Sequence, residues 1–385
     1  MVRKTRPIWI WFHKWTALIL GLWIVLNGLS GTLLVFQRKI EANLDLDLYR
    51  TGQPYETADF AVMTEAVGAA YPGMSFHKVE RDNKYADEAY RFTLSPYGEP
   101  QSYFTDLEVF VKPVTGEILG DRPWLTFMKA TRLFHMELLA GHTGETVMGY
   151  MAIFLTISIF VGVVLWWPKN GKYKRALQVK SASGTPRLMR DLHNVAGMYF
   201  LIVLGMVCIT GLTVVFPRQA QAVVELFLPT PPTQPFSVSE PTGSPVSLAR
   251  AAAAVEASYP GAVPTLIGMP LSDRGTYSFR IEPAGLDFTV YTSVIYIDQY
   301  TGEIVSAFDP VTQSPTRSLI GLWSIYSHNG QMFGMAGRLL VFGSGIAIAV
   351  LFGSGIYIWL RKRKTTYAKP THTAKATLID RVPAE

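Results

Sequence analysis

The stretch HKWTALILGLWIVLNGLSGTLLVF, His13 to Phe36, decides the fold. It is apolar over the roughly 20 residues that a helix needs to cross hydrocarbon, with a histidine at its entrance and a Ser30-Gly31 step deep inside. The chain repeats it as HNVAGMYFLIVLGMVCITGLTVVF, His193 to Phe216, with Thr210-Gly211 where Ser30-Gly31 stood. A histidine recurring at one depth of two apolar helices is the main functional clue, because ionisable groups near membrane helices are costly.

Working outward, four apolar stretches have spanning length: 10–37, 146–168, 192–217 and 336–360. The chain therefore reads as a polytopic α-helical membrane protein. The first stretch is too long for a signal-peptide core and shows no small-residue cleavage site after Leu34, so it is expected to be retained. Lys and Arg set the orientation. Arg3, Lys4, Arg6 and Lys14 flank the first span, seven basic residues from Lys169 to Arg190 fill the loop 169–191, and Arg361 to Lys364 follow the fourth span. Both termini, 1–9 and 361–385, and that loop are then cytoplasmic, with the long segments outside in the periplasm of a bacterial inner membrane. The net charge of +6 is explained by this topology, without nucleic acid. The only cysteine, Cys208, excludes an intrachain disulfide, an iron-sulfur cluster and a covalent haem-attachment motif, so any redox cofactor must be held non-covalently.

The first outer segment, 38–122, has helical periodicity over Phe60–Tyr71, stopped by Tyr71-Pro72-Gly73. Ser75–Val79, Tyr90–Leu94, Tyr103–Thr105 and Val109–Val111 read as strands, closed by a turn at 113–118. In the second, 246–310, Ala251–Tyr259 reads as a helix and Thr276–Ile281, Phe288–Tyr291 and Val294–Ile297 as strands, with a turn at Thr301–Ile304. AVGAAYPG at 66–73 answers AVEASYPG at 254–261, and TGEI at 115–118 recurs at 301–304. The prediction is an internal duplication carrying two small α+β periplasmic domains. Segments 123–145 and 311–335 are expected to be periplasmic or interfacial helices, and 218–245, with Pro229 to Pro245, an extended linker.

Of seven histidines, His77 and His372 read as surface residues and the other five cluster at helix entrances. His13 and His193 lie near the cytoplasmic face. Placing His135 on His328 brings Gly162–Trp166 onto Gly355–Trp359 without a gap, so these two histidines form a second level near the outer face. His142 falls opposite Met335 and has no repeat partner. Two imidazoles approaching from opposite sides of a bundle supply both axial positions of a haem iron. Gly21, Gly28, Ser30, Gly31, Gly197, Gly205, Gly211, Gly343, Ser344, Gly345, Gly353, Ser354 and Gly355 would let helices and a macrocycle approach closely, although ordinary helix packing explains any one of them. A mononuclear zinc site needs three or four converging ligands, and each level offers two histidines. An outer metal site of His135, Glu137 and His142 would lack a duplicate.

Tandem outer modules with the YPG and TGEI signatures, joined to histidine-bearing spans, resemble the PepSY-associated transmembrane family of iron-regulated bacterial inner-membrane proteins. Within it, the di-haem siderophore reductases of the ferrioxamine type match the layout from about Trp9 to Lys364. The resemblance implies two haem b groups, ligated by His13, His193, His135 and His328, with His142 as a possible substitute. It implies an oxidoreductase that passes electrons across the membrane to a ferric siderophore and releases Fe(II). No G-x-G-x-x-G stands between strand and helix, so a quinol or a separate cytoplasmic reductase is the expected donor. Arg132 and Arg338 are candidates for the outer propionates, and Trp23, Tyr150, Trp166 or Trp167 for relays between the haems. The alternative is a membrane-anchored module that binds peptide or restrains a protease, without redox activity.

Overall fold

The computed structural model describes residues 2–81, 85–99, 101–168, 171–180, 184–228, 237–282, 293–308 and 323–367. The strand expected at Phe288–Tyr291, His372, and parts of the linker and of 311–335 lie outside them.

In chain order, α1 (Val2–Leu34), α2 (Gln37–Leu44), α3 (Leu46–Tyr49) and α4 (Phe60–Ala70) lead into strands β1 (Met74–Glu80), β2 (Tyr90–Pro96), β3 (Leu107–Val111) and β4 (Ile118–Pro123). Helices α5 (Phe127–Glu137), α6 (Gly141–Trp166), α7 (Tyr173–Ala176), α8 (Thr185–Tyr199), α9 (Leu201–Val215) and α10 (Pro217–Glu225) follow. The second outer segment supplies α11 (Leu248–Ser258), β5 (Val263–Gly268), β6 (Thr276–Glu282), β7 (Ser293–Asp298) and β8 (Ile304–Phe308). It ends with α12 (Ser324–His328), a 3-10 turn (Gln331–Phe333) and α13 (Gly334–Tyr367).

Among the described residues, three helices are long and apolar enough to cross a membrane: Thr5–Leu34, Gly141–Trp166 and Gln331–Arg363. Helices α8 and α9 meet the same test together, bent by 60° at Phe200. Only 22 to 28% of the apolar windows of the three long helices is buried inside the protein, so most of that surface faces outward, as contact with lipid tails requires. The chain divides into two compact units. One comprises Met1–Val25, Ser158–Leu201 and Ala347–Glu385, the other Leu26–Ile157 and Ile202–Ile346.

The second unit contains a single eight-stranded sheet, ordered β4-β3-β2-β1-β5-β6-β7-β8 and antiparallel throughout. The two small sheets expected from the sequence are thus joined edge to edge, where Val79 pairs with Ile267 in the β1–β5 ladder. Alternation aims Phe92, Leu94, Phe279 and Ile295 at one face, where Met63 and Val67 of α4 and Ala251 and Val255 of α11 complete the core. Asp59 caps α4 and Ser247 caps α11 through their side chains. Both TGEI turns put their glycine in the left-handed region, Gly116 at φ +70° and Gly302 at φ +75°, beside the helix of their own half. Tyr103–Thr105 is a turn, not a strand, and β4, β5 and β8 were not anticipated. Gly120 and Pro123 in β4, Pro264 in β5 and the brevity of β8 hide the period-two signal.

The opposite face of β2–β3 holds a fully buried carboxylate, Glu108. Arg91 Nε lies 3.0 Å from it, Arg122 Nη2 2.9 Å and Lys129 Nζ 2.5 Å. Burial alone would raise its pKa, but Arg91, Lys129 and Arg122 outweigh that and hold it below the ordinary carboxylate value. Beside it, burial opposes ionisation of Glu80, yet Arg91 and Lys78 bring it down to about 2. Lys129 belongs to α5, whose N-cap Thr126 accepts from Lys129 N. The Lys129–Glu108 ion pair moors to the sheet the helix that carries His135.

Candidate functional site

The histidines meet in two pairs, one within each unit. His13 of α1 faces His193 of α8, with ring centres 6.2 Å apart and planes at 87°. His135 of α5 faces His328 of α12, again at 6.2 Å, with planes at 60°. Both pairings expected from the repeat are therefore present as close contacts between the two halves of the sequence.

Each ring is held in the same way. His13 Nδ1 lies 3.0 Å from the Ser158 carbonyl and 2.9 Å from its hydroxyl. His193 Nδ1 lies 2.9 Å from Leu351 O and 3.1 Å from Ser354 Oγ. His135 Nδ1 lies 3.0 Å from Asn27 O and 3.1 Å from Ser30 Oγ. His328 Nδ1 lies 3.0 Å from Val207 O and 3.2 Å from Thr210 Oγ1. A carbonyl can only accept, so in all four rings Nδ1 carries the proton. In the neutral tautomer the lone pair then sits on Nε2, and among the described residues no hydrogen bond reaches any of the four Nε2 atoms. A backbone carbonyl that fixes Nδ1–H and leaves Nε2 basic is the usual support of a metal-bound imidazole.

The supporting helices share a local pattern. A carbonyl at position i, a hydroxyl at i+3 and a glycine at i+4 lie on one helix face, as in Asn27–Ser30–Gly31, Val207–Thr210–Gly211 and Leu351–Ser354–Gly355. At His13 the hydroxyl comes from Ser158 itself, and the glycine is Gly162. Each imidazole Cε1 rests on its glycine. A Cβ added there would lie 2.8 Å from His135 at Gly31, 3.2 Å from His328 at Gly211, 3.4 Å from His193 at Gly355 and 3.5 Å from His13 at Gly162. The sequence showed the Ser-Gly and Thr-Gly steps but not that they cradle histidines. Ser158, Gly162 and Asn27 were missed as site residues, although Gly162 already fell on Gly355 in the repeat.

The donor set fits a bis-imidazole metal. Two imidazoles bound through Nε2 to one metal at about 2 Å each hold their ring centres roughly 6 Å apart, which is the separation in both pairs. No group of three or more His, Cys, Asp or Glu able to hold a metal ion occurs among the described residues. Each pair therefore offers two imidazole nitrogens to any group that binds there.

Other expected residues fall elsewhere. The His142 side chain is 91% exposed and bonds Glu145, within its own helix and apart from both pairs. His77 of β1 lies 3.3 Å from Ser95 Oγ. Arg132 is exposed and Arg338 half-buried, neither with an ion pair among the described residues. Trp23, Tyr150 and Trp167 are 48 to 58% exposed. Trp166 is only half-exposed, and its Nε1 is buried without a hydrogen-bond partner among the described residues.

Residues 10–362 match the family described as the PepSY-associated TM region. The chain belongs to that family. The match takes in all four paired histidines and the whole outer sheet of this PepSY-associated membrane protein. No curated protein matches the chain.

Proposed function

We propose that this PepSY-associated protein is a di-haem b reductase of the bacterial inner membrane, which takes electrons from a quinol or a cytoplasmic reductase and delivers them to a ferric siderophore in the periplasm. In this reading the chain crosses the membrane four times, α8 and α9 forming one bent span, with both termini inside and a duplicated helix–domain–helix plan. The observation that carries it is the repeated pair geometry: two rings 6.2 Å apart, each with Nδ1 tied to a carbonyl and Nε2 left basic.

His13 and His193 would hold one haem and His135 and His328 the other. Haem supplies one-electron carriage between ferric and ferrous iron. The residues of the chain do the rest. The carbonyls of Ser158, Leu351, Asn27 and Val207 orient the rings and keep Nε2 electron-rich, the adjacent hydroxyls share Nδ1–H, and the glycines leave room for close ring contact. Apolar helices exclude water from the route. At the outer face, one electron converts a ferric chelate to its ferrous form, which hard oxygen ligands hold less tightly, so Fe(II) is released.

The test is anaerobic. Protein reduced with dithionite and freed of excess reductant is mixed with a ferric hydroxamate siderophore and a ferrous-iron trap. Reoxidation of the protein with matching Fe(II) capture supports the proposal, and a protein that stays reduced contradicts it.

A second reading draws on the family match directly and needs no cofactor: the chain as a membrane-anchored module whose outer sheet binds a peptide or restrains a protease. Among the described residues, the short edge strands β4 and β8 each pair on one side, which leaves the other for strand addition. On that reading His13→Ala and His135→Ala leave the purified protein's absorption unchanged.

A further inference from the structure

The four histidine cradles are alike except at one point. Asn27 offers more than the carbonyl that accepts His135 Nδ1–H at 3.0 Å: its side-chain amide donates to the main-chain carbonyl of His135 itself, at 2.9 Å. The same amide nitrogen lies 3.8 Å from Met148 Sδ. His135 is in the last turn of α5, where the final carbonyls of a helix have no intrahelical donor. Asn27 thus binds the ring and the backbone of one residue at once, and supplies a donor that α5 lacks. The counterparts cannot do this. Val207 and Leu351 have no side-chain donor, and the Ser158 hydroxyl lies against the His13 ring with no bond to the His13 main chain among the described residues.

α5 has eleven residues, is moored to the sheet through Lys129 and Glu108, and is capped by Thr126 at one end and Asn27 at the other. Among the described residues, the His328 ring is oriented by Val207 and Thr210.

We infer that Asn27 is a positioning residue that locks His135 in place, holding its ring and its main chain together. This rests on the di-haem reading.

The experiment measures haem transfer from the purified full-length protein to excess apomyoglobin, together with low-temperature electron paramagnetic resonance of the oxidised protein. Asn27→Leu keeps the side-chain volume and removes the donor. Loss of one haem should quicken by about tenfold or more, as expected for removing the partner of a buried carbonyl, and one low-spin signal should shift. The haem affected must be the one that His135→Ala removes and His13→Ala spares. Asn27→Gln, which retains an amide donor, should recover part of the effect and provides the same readouts if Asn27→Leu does not accumulate. Two haems in the wild type, with unchanged loss rates and signals in the variants, overturn the role of Asn27 and leave the di-haem reading standing. A wild-type protein without haem overturns that reading and this one with it.

Discussion

Adding one methyl group at Gly31 tests the cradle most severely. An ideal Cβ there lies 2.8 Å from His135 Cε1, 3.3 Å from Nδ1 and 3.6 Å from Nε2. Carbon atoms pack best at about 3.5–4.0 Å, so the ring must retreat by roughly 0.7–1.2 Å. That retreat breaks the 3.0 Å bond to Asn27 O or swings Nε2 off its axis. Overpacking of this kind costs about 1–3 kcal/mol, and the lost hydrogen bond adds about 1 kcal/mol. At 1.4 kcal/mol per factor of ten, the outer haem should bind roughly 30- to 1,000-fold more weakly. Gly162→Ala is the control, since its Cβ would meet His13 Cε1 at 3.5 Å, an ordinary contact, and Ala gains up to about 1 kcal/mol in helix propensity. Pyridine haemochromogen assay per chain, with thermal unfolding to monitor the fold, should give one haem for Gly31→Ala and two for Gly162→Ala. Two haems with unchanged spectra in Gly31→Ala, or equal loss in both variants, would refute the reasoning.

Three further outcomes follow from the geometry. Glu108→Gln leaves Arg91, Arg122 and Lys129 converging on a neutral group and should destabilise the outer domain by about 3–5 kcal/mol in urea unfolding followed by tryptophan fluorescence; a change below 1 kcal/mol would deny the cluster its structural weight. Glu80 titrates near 2 in the folded protein against an ordinary value near 4.5, so its contribution, up to about 3 kcal/mol, is complete above pH 4.5 and is lost as the pH falls toward 2. Denaturation midpoints that stay level from pH 6 to 3 would contradict this. Ser354→Ala removes one of two acceptors for His193 Nδ1–H and should keep the inner haem while shifting its midpoint potential, whereas loss of that haem would mean the Leu351 carbonyl does not suffice.

Much of the site was legible because its histidine-bearing stretches recur in the sequence. The echo of His13 at His193 and the gapless match of His135 with His328 identified both pairs, and the pairs then formed across the two halves. What the sequence hid was the acceptor side. The orienting groups are mostly backbone carbonyls, which no residue type announces, and Asn27, Val207, Leu351 and Ser158 have little in common as side chains. Ser354-Gly355 looked like helix packing because other small residues, such as Gly345 against Gly28, serve that purpose alone. In the outer segments the paired YPG and TGEI signatures marked both α+β halves. Their fusion into one sheet through β1 and β5 was hidden, because an edge-to-edge ladder is made by main-chain groups and Pro264 disguises β5. His142, already set apart by its lack of a repeat partner, bonds Glu145 of its own helix.

The central claim, that each histidine pair grips one haem, is tested most directly by the haem content of the purified full-length protein from haem-replete cells. Pyridine haemochromogen analysis should give two haem b per chain with low-spin, six-coordinate spectra, falling to one in His13→Ala and in His135→Ala. Colourless protein, or haem content indifferent to both substitutions, would contradict it.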